Sequence, residues 1–495
     1  MEKPIYQLIC DSMTDGILKE GFSLTEEDPD TSELRYAPGA MDGIFMYHMG
    51  RDGMSDEAAE EMARCVNSAA SGNAAEAERL FSAWTRENRA IAAIDELQNY
   101  VRENAVSLNA GNVYKTARHM ITQSSDAECV KIGMEFMELF ERVDEDTKEA
   151  IRRLGQFDEF TIFALWDMKK WENGNQEIFS LAKKVTGWGH IHALELLEPE
   201  TEEIREWILL NGVSNDVLDA YSALTCYEKS GAAEVLSGTP TEEEYRALLV
   251  MFDALLDEGP VPGISRVENA EEMLLRLLEL SDRYELDMRE YAHILRIKDW
   301  AEEDGGFPAV ADSCARILKS PACADAVMKA AENGEGLELA EYLELPYRQE
   351  LLACMYRDFD RFCVQCGRLM KDEAYVQSVL TLFREHIPLD RVEGAPVEDV
   401  GFGPEYKYQN QLQYLLQELD GMPLTGKEFV KAGLKSPLTR NRHRALEVLK
   451  KWGRKEGKTL EELSPELYGT VKDMEKTEIY PANKEMIRMF LEGRV

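Results

Sequence analysis

The chain has 495 residues, of which 94 are acidic and 56 are basic, so its formal charge at pH 7 is −38. A hydrophobic share of 44% is enough for a sizeable core, which excludes wholesale disorder. No stretch approaches the roughly 18 uninterrupted apolar residues of a membrane span, and the first residues lack the pattern of a secretion signal. Nine scattered cysteines, an odd number, favour buried reduced thiols over a disulfide framework. We therefore expect a cytoplasmic protein that does not bind membranes.

The first 111 residues combine a turn-rich segment with the first helices. Residues 23–53 are rich in Asp, Gly and Pro, and the stretch 36–43 is especially dense in turn residues. These residue types predict an irregular segment or at most a short hairpin. A functional loop and a structural cap over the first repeat are both open interpretations of this segment.

A recurring pair of residues organises the segment 112–257, where apolar residues at intervals of three and four predict amphipathic helices. A small residue followed by a large apolar one recurs there every 29 to 31 residues. The pairs begin at Gly133, Ala164, Ala193, Ala223 and Ala254. The small residue lets two antiparallel helices approach closely, and the apolar residue packs against the next pair. The spacing predicts stacked helical hairpins with a period of about 30 residues.

Two interruptions divide the rest of the chain. The stretch 257–263, rich in Gly and Pro, ends the in-phase series, and 388–404 contains three prolines and three glycines. We expect further helical hairpins over 264–387 and a C-terminal helical segment over 405–495.

Longer sequence patterns that occur twice in the chain also support the repeat. The pattern Ala-Leu-x-x-(Met/Leu)-Lys-Lys-Trp occurs at 164–171 and at 445–452, and Lys-Ser-Pro, typical of a helix start, occurs at 319–321 and 435–437. On these residues the chain resembles the HEAT-like α-solenoids, especially the short-repeat kind of the bilin-lyase group. The resemblance implies an all-α solenoid of stacked antiparallel hairpins behind a short irregular N-terminal segment. The segment 187–195 is also similar to uncharacterised bacterial proteins sometimes labelled limonene hydroxylase, although no oxygenase motif accompanies it.

Metal and cofactor chemistry finds little support in the sequence. Cys363 and Cys366 form the one close cysteine pair, and a structural metal site would need a second pair. We interpret both as buried structural thiols. The side chains of His190 and His192 would point about 200° apart on a helix, which is unsuitable for a shared metal. We expect neither a metal nor a cofactor.

Trp188 is the residue that most suggests a ligand pocket, because a glycine flanks it on each side. It would line such a pocket together with His190 and His192, or it would pack at a junction between repeats. The flanking glycines do not form a phosphate loop, since the third glycine and a preceding strand are missing.

Basic residues are concentrated near the C-terminus. Residues 427–458 contain eleven bases and three acids, whereas residues 1–426 contain 40 bases and 83 acids. So acidic a body repels nucleic acid. We expect the basic segment to form the outer face of a packed helix and to pair with the protein's own carboxylates. The candidate basic surface comprises Arg440, Arg442, Arg444, Lys450 and Lys451.

Two hypotheses of function follow, and no catalytic residue can be assigned in either. The first is a non-enzymatic HEAT-like scaffold whose acidic curved surface binds a basic protein or peptide. The alternative is a small-molecule-binding protein or enzyme on the same scaffold, bilin-lyase-like or a hydroxylase, with its pocket near Trp188. HEAT-like DNA-repair enzymes share this architecture, but the negative charge argues against that activity.

Overall fold

A computed structural model describes residues 3–24, 36–49, 54–259, 261–397, 401 and 403–494, without the side chains of residues 304 and 305. The protein is all-α, as the sequence predicts, and strands occur within the described residues only as one short hairpin. In the same residues, no helix has both the length and the apolar character to cross a membrane.

The chain divides into two compact units, and each is described by itself. Unit 1 comprises residues 1–285 and 293–315, and unit 2 comprises residues 286–292 and 316–495. The predicted interruptions at 257–263 and 388–404 fall inside unit 1 and unit 2, respectively.

The helices up to residue 318 are α1 (Ile5–Asp11), α2 (Ala40–His48), α3 (Asp56–Ser71), α4 (Ala74–Trp84), α5 (Ala90–Glu103), α6 (Ala110–Gln123), α7 (Ala127–Met137), α8 (Glu145–Leu154), α9 (Asp158–Lys169), α10 (Gly174–Ala182), α11 (Gly187–Leu196), α12 (Glu202–Asn211), α13 (Ala220–Ser230), α14 (Ala232–Ser237), α15 (Glu242–Leu255), α16 (Ala270–Leu280), α17 (Met288–Trp300) and α18 (Pro308–Leu318). The hairpin consists of the antiparallel strands β1 (Met13–Thr14) and β2 (Ile17–Leu18).

The remaining helices are α19 (Pro321–Ala331), α20 (Leu337–Tyr342), α21 (Arg348–Arg357), α22 (Phe359–Phe362), α23 (Cys366–Met370), α24 (Glu373–His386), α25 (Leu389–Val392), α26 (Lys407–Glu418), α27 (Lys427–Leu434), α28 (Thr439–Glu456), α29 (Leu460–Leu463), α30 (Pro465–Met474) and α31 (Pro481–Leu491). Short 3-10 turns lie at Ile264–Arg266, Ser281–Arg283, Cys363–Gln365 and Pro404–Tyr406, and a π-helical turn lies at Ala301–Gly305.

Alternate helices of unit 1 pack against one another in sequence order: α7 contacts α9, α9 contacts α11, α11 contacts α13, and α13 contacts α15. The five small residues of the predicted repeat lie one on each of these helices. A β-carbon on Gly133 would lie 2.9 Å from the carbonyl oxygen of Ala117 on α6, so this position needs a glycine for the two helices to approach. The HEAT-like repeat itself stays a prediction.

Side-chain caps fix several helix starts. The Thr241 hydroxyl accepts a hydrogen bond from the amide of Glu244, and the Glu244 carboxylate accepts one from the amide of Thr241, so α15 begins with a capping box. Ser320 caps α19 by accepting a hydrogen bond from the amide of Cys323. The second Lys-Ser-Pro stretch differs from the expected helix start, because Ser436 accepts the amide of Leu438 and α28 begins only afterwards.

The turn-rich N-terminal segment contains a helix, α2, where the sequence predicts irregular structure or a hairpin. Part of that segment, residues 25–35 and 50–53, lies outside the described residues. Tertiary contacts hold α2 in place. The buried Asp42 carboxylate accepts a 2.7 Å hydrogen bond from the buried Lys131 ammonium, and the amide of Gly39 donates to Glu159. These partners are distant in sequence, so local composition could not reveal them.

Unit 2 contains a core in which α26, α27 and α28 pack on one another. Leu412, Leu416 and Trp452 are fully buried there. The indole N–H of Trp452 donates to the carbonyl of Leu419 at 2.6 Å, so the ring is buried with its polar atom satisfied.

Candidate functional site

An open cavity of about 450 Å³ lies in unit 1, lined by the loop before α13, the C-terminal end of α15 and α17. We refer to it as the acidic cavity because its ionisable lining consists of Asp216, Asp219, Asp253, Asp257, His293 and Arg296. Cavities of this size are typical of ligand sites in proteins.

The four carboxylates of the acidic cavity differ in their exposure. Asp253, in the last turn of α15, is only 3% exposed, and Asp219 is partly buried. Asp216 and Asp257 are exposed. The cavity therefore presents negative charge from its buried floor at Asp253 to its solvent-exposed rim.

Asp253 has an asymmetric set of partners. Its Oδ2 accepts a hydrogen bond from His293 Nδ1 at 2.6 Å and forms an ion pair with the Arg296 guanidinium at 3.0 Å. His293 and Arg296 are three residues apart on α17, so they share a face of that helix. Within the described part of the chain, Asp253 Oδ1 is buried and has no hydrogen-bond partner. A buried carboxylate oxygen without a donor is unfavourable, and this one belongs to a residue that lines the cavity.

A buried asparagine shapes the loop that forms one wall of the cavity. The Asn215 side-chain amide donates to the carbonyls of Val213 and Leu218 and to the hydroxyl of Ser222, at 2.9 to 3.2 Å. Its side-chain oxygen accepts the amides of Val217 and Leu218, both at 2.9 Å. One side chain thus fixes the loop through five hydrogen bonds.

The electrostatics of the cavity favour a cation. Burial raises the pKa of Asp219, and the negative charges of Asp216 and Asp253 raise it further. The backbone amide of Asn215, which donates to Asp219, lowers this pKa. Asp253 also lies in the last turn of α15 and Asp257 just beyond it, where the helix dipole disfavours negative charge. The two basic side chains of the lining do not offset four carboxylates.

The predicted pocket residues Trp188, His190 and His192 lie together on α11, and all three are buried. The Trp188 ring packs against Tyr47 and Tyr221, with ring centres 5.9 and 5.1 Å apart. The backbone of α2 also covers the ring, because any side chain at residue 43 would overlap it. These are the contacts of core residues.

The glycines on either side of Trp188 make room for a carboxylate of the same chain, that of Asp158. A β-carbon on Gly187 or Gly189 would collide with the carboxylate of Asp158, and Gly187 has a left-handed φ of 52°. Burial raises the pKa of Asp158 to about 7, although the backbone amides of Gly189 and Trp188 partly lower it. The two glycines therefore leave room for the Asp158 carboxylate at the N-terminus of α11.

The candidate basic residues lie on α28, and Arg442 is not on the surface. Its buried guanidinium binds the buried carboxylate of Glu478 through two hydrogen bonds of 2.8 and 2.9 Å. Arg444 and Lys451 both pair with Asp420, which precedes α27. The expected outward-facing surface is wrong for Arg442, because the close fit between α28 and the segment before α31 buries this arginine with its partner.

The two remaining candidate basic residues, Arg440 and Lys450, also lie on α28. Arg440 donates to the Asn410 side chain and to the carbonyl of Gly401, and Lys450 is partly buried on the same helix.

The cysteines of the chain are free thiols, and all except Cys10 are buried. Burial raises the pKa of Cys363 to about 11 and raises the pKa of Cys366 further. In the described ranges, no three His, Cys, Asp or Glu side chains are grouped so that they could hold a metal ion.

The acidic cavity is not predictable from the sequence, because Asp253 and His293 are far apart in the chain. A weak signal was present. Asp253 and Asp257 follow each other at a helical spacing of four at the end of α15, where carboxylates are unfavourable. Comparisons of the chain with protein-family models, with curated proteins and with solved structures found no match.

Proposed function

We propose that the protein is a non-enzymatic scaffold that binds a basic protein or peptide, and that the acidic cavity receives a cationic side chain of this partner. The carrying observation is the lining of this cavity, in which four aspartates outnumber two basic side chains and the most buried aspartate, Asp253, keeps one oxygen without a donor among the described residues. A partner's ammonium or guanidinium group would pair with the accessible carboxylates of the lining and neutralise part of their charge.

The charge of the chain supports the same proposal. Residues 1–426 contain 83 acids and 40 bases, so their field attracts basic partners, accelerates their association and repels nucleic acid. The packing of alternate helices from α7 to α15 supports the HEAT-like scaffold, an architecture that offers extended surfaces to partners.

Binding of short basic peptides to the full chain tests the proposal. We expect low-salt binding that weakens with added salt and weakens further in an Asp216→Asn/Asp257→Asn double variant, which removes two exposed rim charges. Loss of these charges should weaken binding by about five- to tenfold, since each close ion pair contributes up to about 1 kcal/mol.

A matched control removes two negative charges from elsewhere in unit 1. The Glu206→Gln/Glu243→Gln variant alters exposed acids that do not line the cavity. If this control weakened peptide binding as much as the rim variant, the site would be the general field of the chain and not the cavity. If no basic peptide bound, the proposed function would be wrong.

The Asp253–His293 pair supports a second candidate, an enzyme whose active site is the acidic cavity and not the region of Trp188. A buried carboxylate that orients a histidine in a cavity is an arrangement used in general acid–base catalysis. Screening ester, amide and phosphoester substrates against the protein and its His293→Gln variant tests it. Turnover by the unaltered chain that disappears in the variant would favour this candidate over the scaffold.

A further inference from the structure

We infer that the cationic group recognised by the acidic cavity is the side chain of an arginine that neighbours an apolar residue in the partner. This inference rests on the proposed function and specifies its ligand. Three features of the cavity carry it: the incompletely paired Asp253 carboxylate, the other carboxylates of the lining, and two apolar side chains at the rim.

The floor of the cavity is already complementary to a guanidinium group. Asp253 binds Arg296 of its own chain through Oδ2 at 3.0 Å, while His293 occupies a second position on the same oxygen. Arg296 remains a largely exposed side chain. The other oxygen, Oδ1, is buried and has no hydrogen-bond partner among the described residues, so the charge of Asp253 is only partly compensated by its own chain.

The arrangement of the other aspartates favours arginine over lysine. Asp219 lies close enough to Asp216, Asp253 and His293 for their charges to change its pKa. A planar guanidinium carries five N–H donors and can bind two carboxylates at once, whereas a lysine ammonium acts as a point charge. Carboxylates at both the floor and the half-buried wall therefore match the larger, forked donor.

The rim adds an apolar contact. Val217 and Leu218 line the cavity and remain 38% and 37% exposed. Asn215 holds them there by accepting both of their backbone amides. Exposed apolar side chains beside a charged cavity can cover the methylene stem of an arginine and an apolar neighbour of that arginine.

Peptides that differ at one position test the inference with the full-length chain. One series carries Arg, Lys or citrulline at the central position before a leucine, in an otherwise identical basic sequence. We expect Lys to bind about tenfold more weakly than Arg, the equivalent of losing roughly one charge-assisted hydrogen bond. Citrulline keeps the shape but not the charge, and it should bind more weakly still.

A second series tests the rim. Replacing the leucine of the peptide by glycine should weaken binding to the unaltered chain, whereas the Leu218→Ser variant should bind both peptides equally. Leu218 is exposed, so this substitution leaves the core intact. The control is Val364→Ser, which alters an exposed apolar residue of unit 2 and should retain the preference for leucine. A nearer lining residue, Ala254, is buried and so is unsuitable as a control.

The outcomes separate the inference from the function on which it rests. Equal affinity for Arg and Lys peptides, or a leucine preference that survives in Leu218→Ser, would overturn the inference and leave the scaffold proposal standing. Agmatine, a free guanidinium compound, should bind far more weakly than the Arg-Leu peptide. If agmatine bound as tightly, the cavity would be a small-molecule site, and the inference of a protein arginine would be wrong.

Discussion

Asp158 shows how a single side chain can link a sequence motif to pH. The flanking glycines of Trp188 leave room for its carboxylate, and burial raises its pKa to about 7. The folded protein thus binds this proton more tightly than the unfolded chain does, because an exposed aspartate has a pKa near 3.9. The contribution of Asp158 to stability therefore falls as the pH rises from about 4 to about 7.

Replacing Asp158 by asparagine should remove this pH dependence. The amide carries no charge to desolvate and keeps one oxygen to accept a backbone amide. At pH 8 we expect the variant to be more stable by about 2 kcal/mol, given about 1.4 kcal/mol per unit of pKa shift and the loss of one acceptor. Urea unfolding followed at pH 4 and at pH 8 measures the effect.

The Asp312→Asn variant serves as the control, because Asp312 is an exposed aspartate of unit 1. It should follow the pH profile of the unaltered chain. A profile for Asp158→Asn as steep as that of the control would show that the carboxyl does not titrate as its burial indicates.

At the scale of elements, the loop between α12 and α13 depends on the buried side chain of Asn215. Its five hydrogen bonds hold Val217 and Leu218 at the rim. Asp216 within this loop has a left-handed φ of 64°, a conformation that aspartate tolerates better than most residues. The wall of the acidic cavity is therefore fixed before any ligand arrives, which lowers the entropic cost of binding.

An Asn215→Ala substitution should destabilise unit 1 by about 2 to 3 kcal/mol, because it leaves buried backbone groups without partners. It should also weaken binding of the Arg-Leu peptide, since the rim is no longer held in place. Chemical denaturation and peptide titration measure the two effects. The matched Asn211→Ala variant, at an exposed position of α12, should change stability by less than about 0.5 kcal/mol. Equal losses in both variants would contradict the role assigned to the loop.

The elements themselves were predictable to different degrees. The helices α7 to α15 follow from apolar periodicity and capping residues, both of which are local signals. The β1–β2 hairpin also has a local signal, the turn-forming Asp15-Gly16 pair, with φ of 53° and 78°. Helix α2 could not be predicted in this way, since its stability depends on Lys131 and Glu159. The acidic cavity is similarly invisible, because its residues come from three separate segments.

At the scale of the whole molecule, the excess of carboxylates opposes folding. A formal charge of −38 produces repulsion that is strongest in the compact state. Much of the basic charge is already used in specific pairs, such as Arg442 with Glu478 and Lys131 with Asp42, and so cannot relieve the general repulsion.

Added salt should therefore raise the thermal unfolding midpoint. At about 0.1 M ionic strength the screening length is about 10 Å, which is short enough to weaken repulsion between distant carboxylates while the buried pairs persist. Calorimetry in increasing sodium chloride checks this, and potassium chloride should give the same rise. A midpoint that falls with either salt would show that attractive surface pairs outweigh the repulsion.

The distribution of thiols has a practical consequence for following how the protein opens. Unit 1 contains the buried Cys65, Cys129, Cys226 and Cys314, and unit 2 contains the buried Cys323, Cys354, Cys363 and Cys366. A thiol reagent can modify these side chains only when the surrounding helices separate, so the labelling rate measures the opening of each region. Mass spectrometry of the labelled peptides would resolve the eight sites individually, with the partly exposed Cys10 as the fast-reacting internal standard. The native sequence thus contains its own set of probes for the local free energy of opening, four in each unit, without any engineered label.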